Sequence, residues 1–148
     1  MTGPPPREPI GLQLFRVAKS ANRAFQDALA AEGGSLPTWL ILLSLKARRP
    51  ETQRELAAAV GIEGATLTHH LAGLERDGLV TRARDPENRR VHRVALTEKG
   101  EAAFQRQRRA AVRFDAQLRA GLEDDEIAAL RETLARLEAN VSGESEAP

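Results

Sequence analysis

The sequence predicts a mainly α-helical (α+β) fold, a helical framework carrying one small antiparallel hairpin. Three observations lead there. Two proline-free stretches, about residues 10–31 and 97–120, repeat their apolar residues at helical spacing. Between them lie two shorter helical stretches joined by a glycine turn. Two β-prone stretches, 79–83 and 91–96, then flank a polar segment of turn formers. At 148 residues, 41% hydrophobic and 29% charged, the chain is long enough to bury a core and too apolar for disorder, and one domain is expected.

The proline-rich start, Gly3 to Pro9, cannot be helical, so residues 1–9 are expected to form a flexible arm. Leu14, Ala18, Ala21, Phe25 and Ala28 make the apolar stripe of the first helix, which Gly33-Gly34 stops. Ser35 and Pro37 open the second helix. Its run of Trp39, Leu40, Ile41, Leu42, Leu43 and Leu45 is apolar nearly all round, which places it centrally in the core. Arg49-Pro50 ends it.

Thr52-Gln53-Arg54-Glu55 has the form of a capping box, in which Thr52 accepts the Glu55 N–H and the Glu55 side chain returns to Thr52. The short helix behind it turns Leu56 and Val60 inward and ends at Gly61. Residues 64–77 form the next helix, with Leu67, Leu71 and Leu74 inward and Gly78 at its end. Two short helices joined by a tight glycine turn constitute a helix-turn-helix pattern. The segment from Arg84 to Arg90 is then the charged tip of a hairpin.

Thr97 caps a long helix to about Ala120, with Phe104, Ala111, Phe114 and Leu118 on one side, and Gly121 ends it. The last helix starts with Glu123 as cap, Glu126 three residues on, and Leu122 placed to pack on Ile127. Asp124, Asp125 and Glu126 suit the positive end of the helix dipole. Ile127, Leu130, Leu134, Leu137 and Val141 follow as one narrow apolar stripe, and residues 142–148 are expected to fray.

A helix-turn-helix followed at once by a charged hairpin is a winged helix-turn-helix. The stretch Asp85-Pro86-Glu87-Asn88-Arg89-Arg90, with Val94-Ala95-Leu96-Thr97-Glu98-Lys99-Gly100 behind it, resembles the wing signature of the MarR family of bacterial transcription regulators. Upstream, Leu71-Ala72-Gly73-Leu74-Glu75-Arg76-Asp77-Gly78-Leu79-Val80 resembles that family's exit from the recognition helix. The order of elements agrees from residue 10 to 140. The resemblance implies long N- and C-terminal dimerisation helices (10–34 and 101–141) around a DNA-binding region (35–100). It also implies a sequence-specific regulator of double-stranded DNA, typically a cytoplasmic, nucleoid-associated repressor acting as a homodimer on a palindromic operator.

Physical chemistry reaches the same ligand independently. A duplex offers phosphates along two strands and base edges in a groove wide enough for one helix. On helix 64–77, the residues turned away from Leu67, Leu71 and Leu74 are small or hydrogen-bonding. Thr66, Thr68 and His69 are the candidates for groove contacts, with His70 beside them. Arg54, at a helix start, and Arg82, Arg84 and Arg93, on the wing, are candidates for phosphates. An arginine on a thin hairpin tip can enter the minor groove, where a narrow groove deepens the negative potential. By the resembled pattern Arg90 inserts and Arg89 contacts a phosphate. That pattern has aspartate where this chain has Asn88, so the arginine is offered a neutral hydrogen bond in place of a charged pair, with Asp85 as the carboxylate able to substitute. Arg106, Arg108, Arg109 and Arg113, on the fifth helix, read as solvated or ion-paired.

The net charge of +1 hides an asymmetry: +3 over residues 46–100, +3 over 101–122 and −6 over 123–148. A recognition helix and a wing read few base pairs alone, so half-sites about 10 base pairs apart ask for a two-fold dimer. The stripes on residues 14–28 and 127–141 are the candidate interface. The resemblance further implies a small anionic aromatic effector between dimer helices and DNA-binding lobe; Phe15, Arg16 and Trp39 are the candidates to line it, with Arg16 as counter-ion.

Enzyme chemistry finds no support. There is no cysteine, the three histidines (His69, His70 and His92) all fall in the recognition helix or wing, and no metal-binding spacing, phosphate loop or serine-nucleophile motif occurs. No cofactor is expected. With no Tyr, four Phe and one Trp, all in apolar helical contexts, the chain lacks the aromatic platforms of RNA or single-strand binders. No apolar run approaches the ~20 residues of a membrane span, and the N-terminus lacks a signal-peptide layout, so a cytoplasmic protein is expected. The alternative reading is a winged-helix module for protein–protein contact, its wing arginines meeting an acidic partner.

Overall fold

The structure, a computed structural model, describes residues 7–47 and 52–143. In chain order it contains α1 (Ile10–Ala31), α2 (Leu36–Ala47), α3 (Gln53–Val60), α4 (Gly64–Arg76), β1 (Val80–Arg84), β2 (His92–Leu96), α5 (Glu98–Arg119) and α6 (Asp124–Ser142). Most of the expected N-terminal arm, the Arg49-Pro50 break and the tail beyond Gly143 lie outside the described residues. The chain divides into two compact units, 1–114 and 115–148, with the boundary inside α5.

In the first unit α2 is the shared wall of two apolar clusters. Ile41 and Leu45 join Leu56 of α3, Leu67, Leu71 and Leu74 of α4, and Val80 and Val94 of the hairpin. Trp39 and Leu42, on the opposite side of the same helix, join Leu29 of α1 and Ala103 and Phe104 of α5. A helix apolar nearly all round is what such a two-sided position requires. The Trp39 ring stacks on Phe104 with centroids 5.6 Å apart, and Phe25 stacks on Phe114 at 4.9 Å.

The hairpin pairs Val80 with Leu96 and Arg84 with His92 in antiparallel register. Both strands start one residue later than the sequence suggests. The Leu79 N–H closes the end of α4 on the Leu74 carbonyl (2.9 Å), with Gly78 left-handed at φ +76°, so Leu79 completes the helix cap. Val91 likewise serves the tip: its N–H reaches the Asn88 carbonyl (2.9 Å) and its carbonyl accepts the Asp85 N–H (2.8 Å).

The second unit holds the end of α5 and all of α6. Of the capping box expected at Glu123 and Glu126, the Glu126 side chain accepts the Glu123 N–H at 2.8 Å, while the Glu126 N–H donates to Asp125 Oδ1 at 3.0 Å. The apolar stripe on α6 is present too, yet no residue of that helix is buried; Leu130, Leu134 and Val141 are exposed and Ile127 and Leu137 half-buried. On α1 only Leu29 is buried, while Ile10, Leu12, Phe15 and Val17 are exposed. Among the described residues no single helix is long and apolar enough to cross a membrane.

Candidate nucleic-acid interface

The interface begins at the cap of α3. Thr52 is extended, and its hydroxyl accepts the Glu55 N–H at 3.1 Å, as the Thr-x-x-Glu spacing predicts. Gly61, left-handed at φ +77°, closes α3 on the Ala57 carbonyl and turns the chain into α4. Burial of Leu67, Leu71 and Leu74 against α2 and α3 fixes the rotation of α4, which leaves Thr66 and His69 exposed and His70 half-buried.

Thr68 is exposed but engaged. Its hydroxyl donates to the Gly64 carbonyl (2.9 Å) and accepts from Gln53 Nε2 (2.7 Å), which ties α4 to the start of α3. Sequence reasoning missed Gln53. Its only signal was a polar residue one step inside the helix, where the cap is already supplied by Thr52.

The wing arginines fall into two sets. Arg82 is held by Glu75, which takes its guanidinium at 3.3 Å and its backbone N–H at 3.2 Å. Arg93 is held by Asp85 through Nε (3.0 Å) and an Nη (2.7 Å). Arg54, Arg84, Arg89 and Arg90 are exposed and carry no ion pair among the described residues. Asp85 therefore does not substitute as a brace for the tip arginines, because Arg93, on the facing strand, takes its carboxylate. Asn88 braces the backbone: its Oδ1 accepts the Arg90 N–H at 3.2 Å.

Asp85 also accepts the Glu87 N–H at 2.8 Å. That N–H, joined by the Arg93 guanidinium and only partly opposed by desolvation, holds the Asp85 carboxyl below the ordinary carboxylate range. A depressed folded-state pKa contributes stability above the unfolded value and loses it as pH falls through the folded value. The wing is therefore expected to loosen on acidification below the usual Asp range near 3.8, seen as a loss of protection of the Glu87 amide relative to its intrinsic exchange rate. Asp85→Asn should lower that protection already at neutral pH and leave it flat through the same range.

The two sequence motifs prove to be each other's partners. Thr97 donates its hydroxyl to the Gly78 carbonyl (2.6 Å) and accepts the Gly100 N–H (3.0 Å). The Thr97 N–H reaches the Leu79 carbonyl (3.1 Å), and Lys99 Nζ reaches the Asp77 carbonyl (2.8 Å). The start of α5 thus clamps the exit of α4, so wing and recognition helix are held in one orientation.

The three effector candidates are not gathered. Trp39 is 7% exposed and serves the core on Phe104. Phe15 is 77% exposed and stands ten residues before Phe25, the α1 aromatic packed on that core, which is about 15 Å along the helix. Arg16 pairs with Glu8. Arg113 pairs with Glu32 at 3.0 Å, as a structural role on α5 predicts. Gln107, another residue sequence reasoning missed, is 2% exposed with Oε1 unpartnered among the described residues. It continues the stripe of Phe104 and Ala111, and it fits because Gly34 has no Cβ; one there would lie 2.5 Å from its Cδ.

The model of the MarR family matches residues 35–92, which span α2 to the first residue of β2. The chain is 34% identical over 131 residues to an uncharacterised HTH-type transcriptional regulator, YdgJ of Bacillus subtilis (strain 168), covering 88% of this chain and 80% of that one. The chain belongs to the MarR family. This MarR-family protein is a DNA-binding transcriptional regulator with a winged-helix fold and not an enzyme. Among solved structures it is similar to the transcriptional repressor CouR bound to a 23-mer DNA duplex, at 31% identity and a TM-score of 0.78, over 88% of this chain and 92% of that one. It also shares the fold of the PcaV transcriptional regulator from Streptomyces coelicolor, at 24% identity and a TM-score of 0.82, over 92% and 99% of the two chains.

Proposed function

We propose that this MarR-family regulator is a homodimeric repressor that reads a palindromic operator, with α4 in the major groove and the 84–91 wing in the minor groove. The observation that carries this reading is the outward face of α4 locked beside a wing tip whose Arg89 and Arg90 are exposed and unpaired among the described residues. Thr66 and His69 read base edges, with His70 at the flank; Arg54, Arg84 and Arg89 meet phosphates, and Arg90 enters the minor groove. Arg82 and Thr68 act from behind, Arg82 through Glu75 and Thr68 through Gln53. The repressor role is supported by the likeness to CouR, itself a repressor solved on duplex DNA.

Dimerisation rests on the uncovered apolar side chains of α1 (10–34 region) and of α6 (101–141 region), whose burial would supply the association energy. Release by a small aromatic acid would engage Phe15 and Arg16, each exposed on α1, with the acid displacing Glu8 from Arg16; Trp39 would support from the core. The protein acts in the cytoplasm on the nucleoid.

One titration tests the reading. A palindromic duplex mixed with the protein and followed by light scattering should reach two chains per duplex. Affinity should fall steeply with salt, by about 10³-fold or more between 50 and 200 mM if six or more phosphates are neutralised. Thr66→Ala and His69→Ala should shift preference among operator variants by about 1–3 kcal/mol per lost base contact. One chain per duplex, or unchanged preference in both variants, contradicts the assigned docking; tight binding to an acidic protein with no duplex affinity would favour a protein-interaction module.

A further inference from the structure

A helix with its side chains is about 10–12 Å across, close to the ~12 Å width of the major groove, so phosphates border both flanks of a recognition helix. On one flank of α4, Thr68 is tied to Gln53 of α3, and the exposed Arg54 follows it. The other flank opens into a cleft of about 230 Å³ between the first turn of α2 and α4. Its lining includes Thr38 of α2, His69, His70, Gly73 and Arg76 of α4, and Asp77 at the cap that ends α4. Thr66, His69, Gly73 and Arg76 follow one another at spacings of three and four, so they form one outward stripe.

Gly73 is not required by the fold. Its φ is not positive, and a Cβ there would meet only the Arg76 guanidinium, at an ordinary 3.6 Å. A glycine inside a helix costs about 1 kcal/mol relative to alanine. Where neither backbone nor packing needs it, close approach of something outside the protein is the remaining physical use. Arg76 lies folded back beside this gap and has no ion pair among the described residues. The Thr38 oxygen accepts the Ser35 hydroxyl at 3.0 Å, so its own hydrogen remains to donate. Asp77 is the one acidic group in the lining, and Arg76 offsets it.

We infer that this cleft seats a phosphate of the DNA backbone, with Arg76 as its charged contact, Thr38 as a second donor and Gly73 as the floor that lets the strand come close. The inference rests on the duplex-binding reading above and adds a backbone contact on the α2 flank.

The test compares wild type, Gly73→Ala and Arg76→Gln on one palindromic duplex across a salt series, with melting curves for each. Gly73→Ala should melt at or above the wild-type temperature yet bind about tenfold more weakly, as expected for one displaced charged contact. Arg76→Gln should reduce the slope of log affinity against log salt by about one, which is about threefold less change between 50 and 200 mM. Its preference among operator variants should stay as in wild type. An unchanged slope in Arg76→Gln overturns the inference, and so does a Gly73→Ala protein that binds like wild type. Competition by inorganic phosphate at constant ionic strength that depends on Arg76, with the duplex slope intact, assigns the cleft to a free anion and overturns it as well. A wild-type chain that binds no duplex at any salt sinks the docking reading itself, and the inference with it.

Discussion

Gly100→Ala is expected to destabilise the protein by about 3 kcal/mol or more, at or beyond the upper end of what overpacking normally costs. Gly100 is buried in the first turn of α5, and a Cβ there would stand 1.9 Å from the Leu79 carbonyl oxygen and 2.9 Å from its carbon. No side-chain rotation relieves that overlap, because the obstructing atoms are backbone. Nor is the Leu79 carbonyl free to withdraw, since it accepts the Thr97 N–H at 3.1 Å while Gly100 donates to the Thr97 hydroxyl. The clash therefore has to open the clamp between the exit of α4 and the start of α5. Against a typical domain stability of about 5–15 kcal/mol, a drop in Tm on the order of 10 °C should appear in a melting curve. Gly11→Ala is the control: it too is helical, nothing lies within 4 Å of its added Cβ, and its melting should be unchanged or slightly raised. A Gly100→Ala protein that melts with wild type would mean that the α4–α5 junction is looser than its hydrogen bonds indicate.

Arg90→Ala is expected to weaken binding to every duplex by about 1–3 kcal/mol while leaving the melting temperature unchanged. The separation of the two effects follows from the tip geometry. The turn is held by the Asp85 N–H on the Val91 carbonyl, the Val91 N–H on the Asn88 carbonyl and the Arg90 N–H on the Asn88 side chain. All three bonds use atoms that alanine at position 90 retains. The guanidinium itself has no partner among the described residues, so its removal subtracts a DNA contact and nothing from the fold. The loss should be nearly uniform across sequences, because electrostatic attraction to a narrow minor groove does not distinguish individual bases in detail. Arg93→Ala should behave differently, since its guanidinium is bound to Asp85 and its loss frees that carboxylate. Isothermal titration of both variants against operator and scrambled duplexes makes the comparison. A Tm shift in Arg90→Ala, or a change in preference larger than the change in affinity, would contradict a purely electrostatic tip.

Much of the site was legible from residue types at fixed spacing. Thr52 with Glu55, Gly61 and Gly78 mark helix ends through hydrogen bonds within a few residues, so the boundaries of α3 and α4 follow from local chemistry. The inward faces followed from the spacing of Leu67, Leu71 and Leu74, and with them the outward placement of Thr66 and His69. The substitution of Asp85 for an absent aspartate at position 88 did not hold, because its competitor Arg93 sits across the hairpin and is brought near only by the register Arg84 with His92. The gathering of Phe15, Arg16 and Trp39 into one crevice fared similarly: the indole is claimed by Phe104, sixty-five positions later in the chain.

The order of elements, the helix ends, the inward faces of α3 and α4 and the presence of a charged wing follow from the sequence alone. Those properties depend on backbone hydrogen bonds and side-chain periodicity over fewer than about ten residues, and such a window carries them whole. Only the tertiary structure decided which charges stay available to a partner. Glu75 claims Arg82, Asp85 claims Arg93 and Gln53 claims Thr68, while Arg54, Arg76, Arg84, Arg89 and Arg90 carry no ion pair among the described residues. The tertiary structure also decided that Gly100 must be glycine, since its constraint is a carbonyl twenty-one residues earlier. Pairing of this kind depends on distances that packing sets, and no local pattern in the chain encodes them.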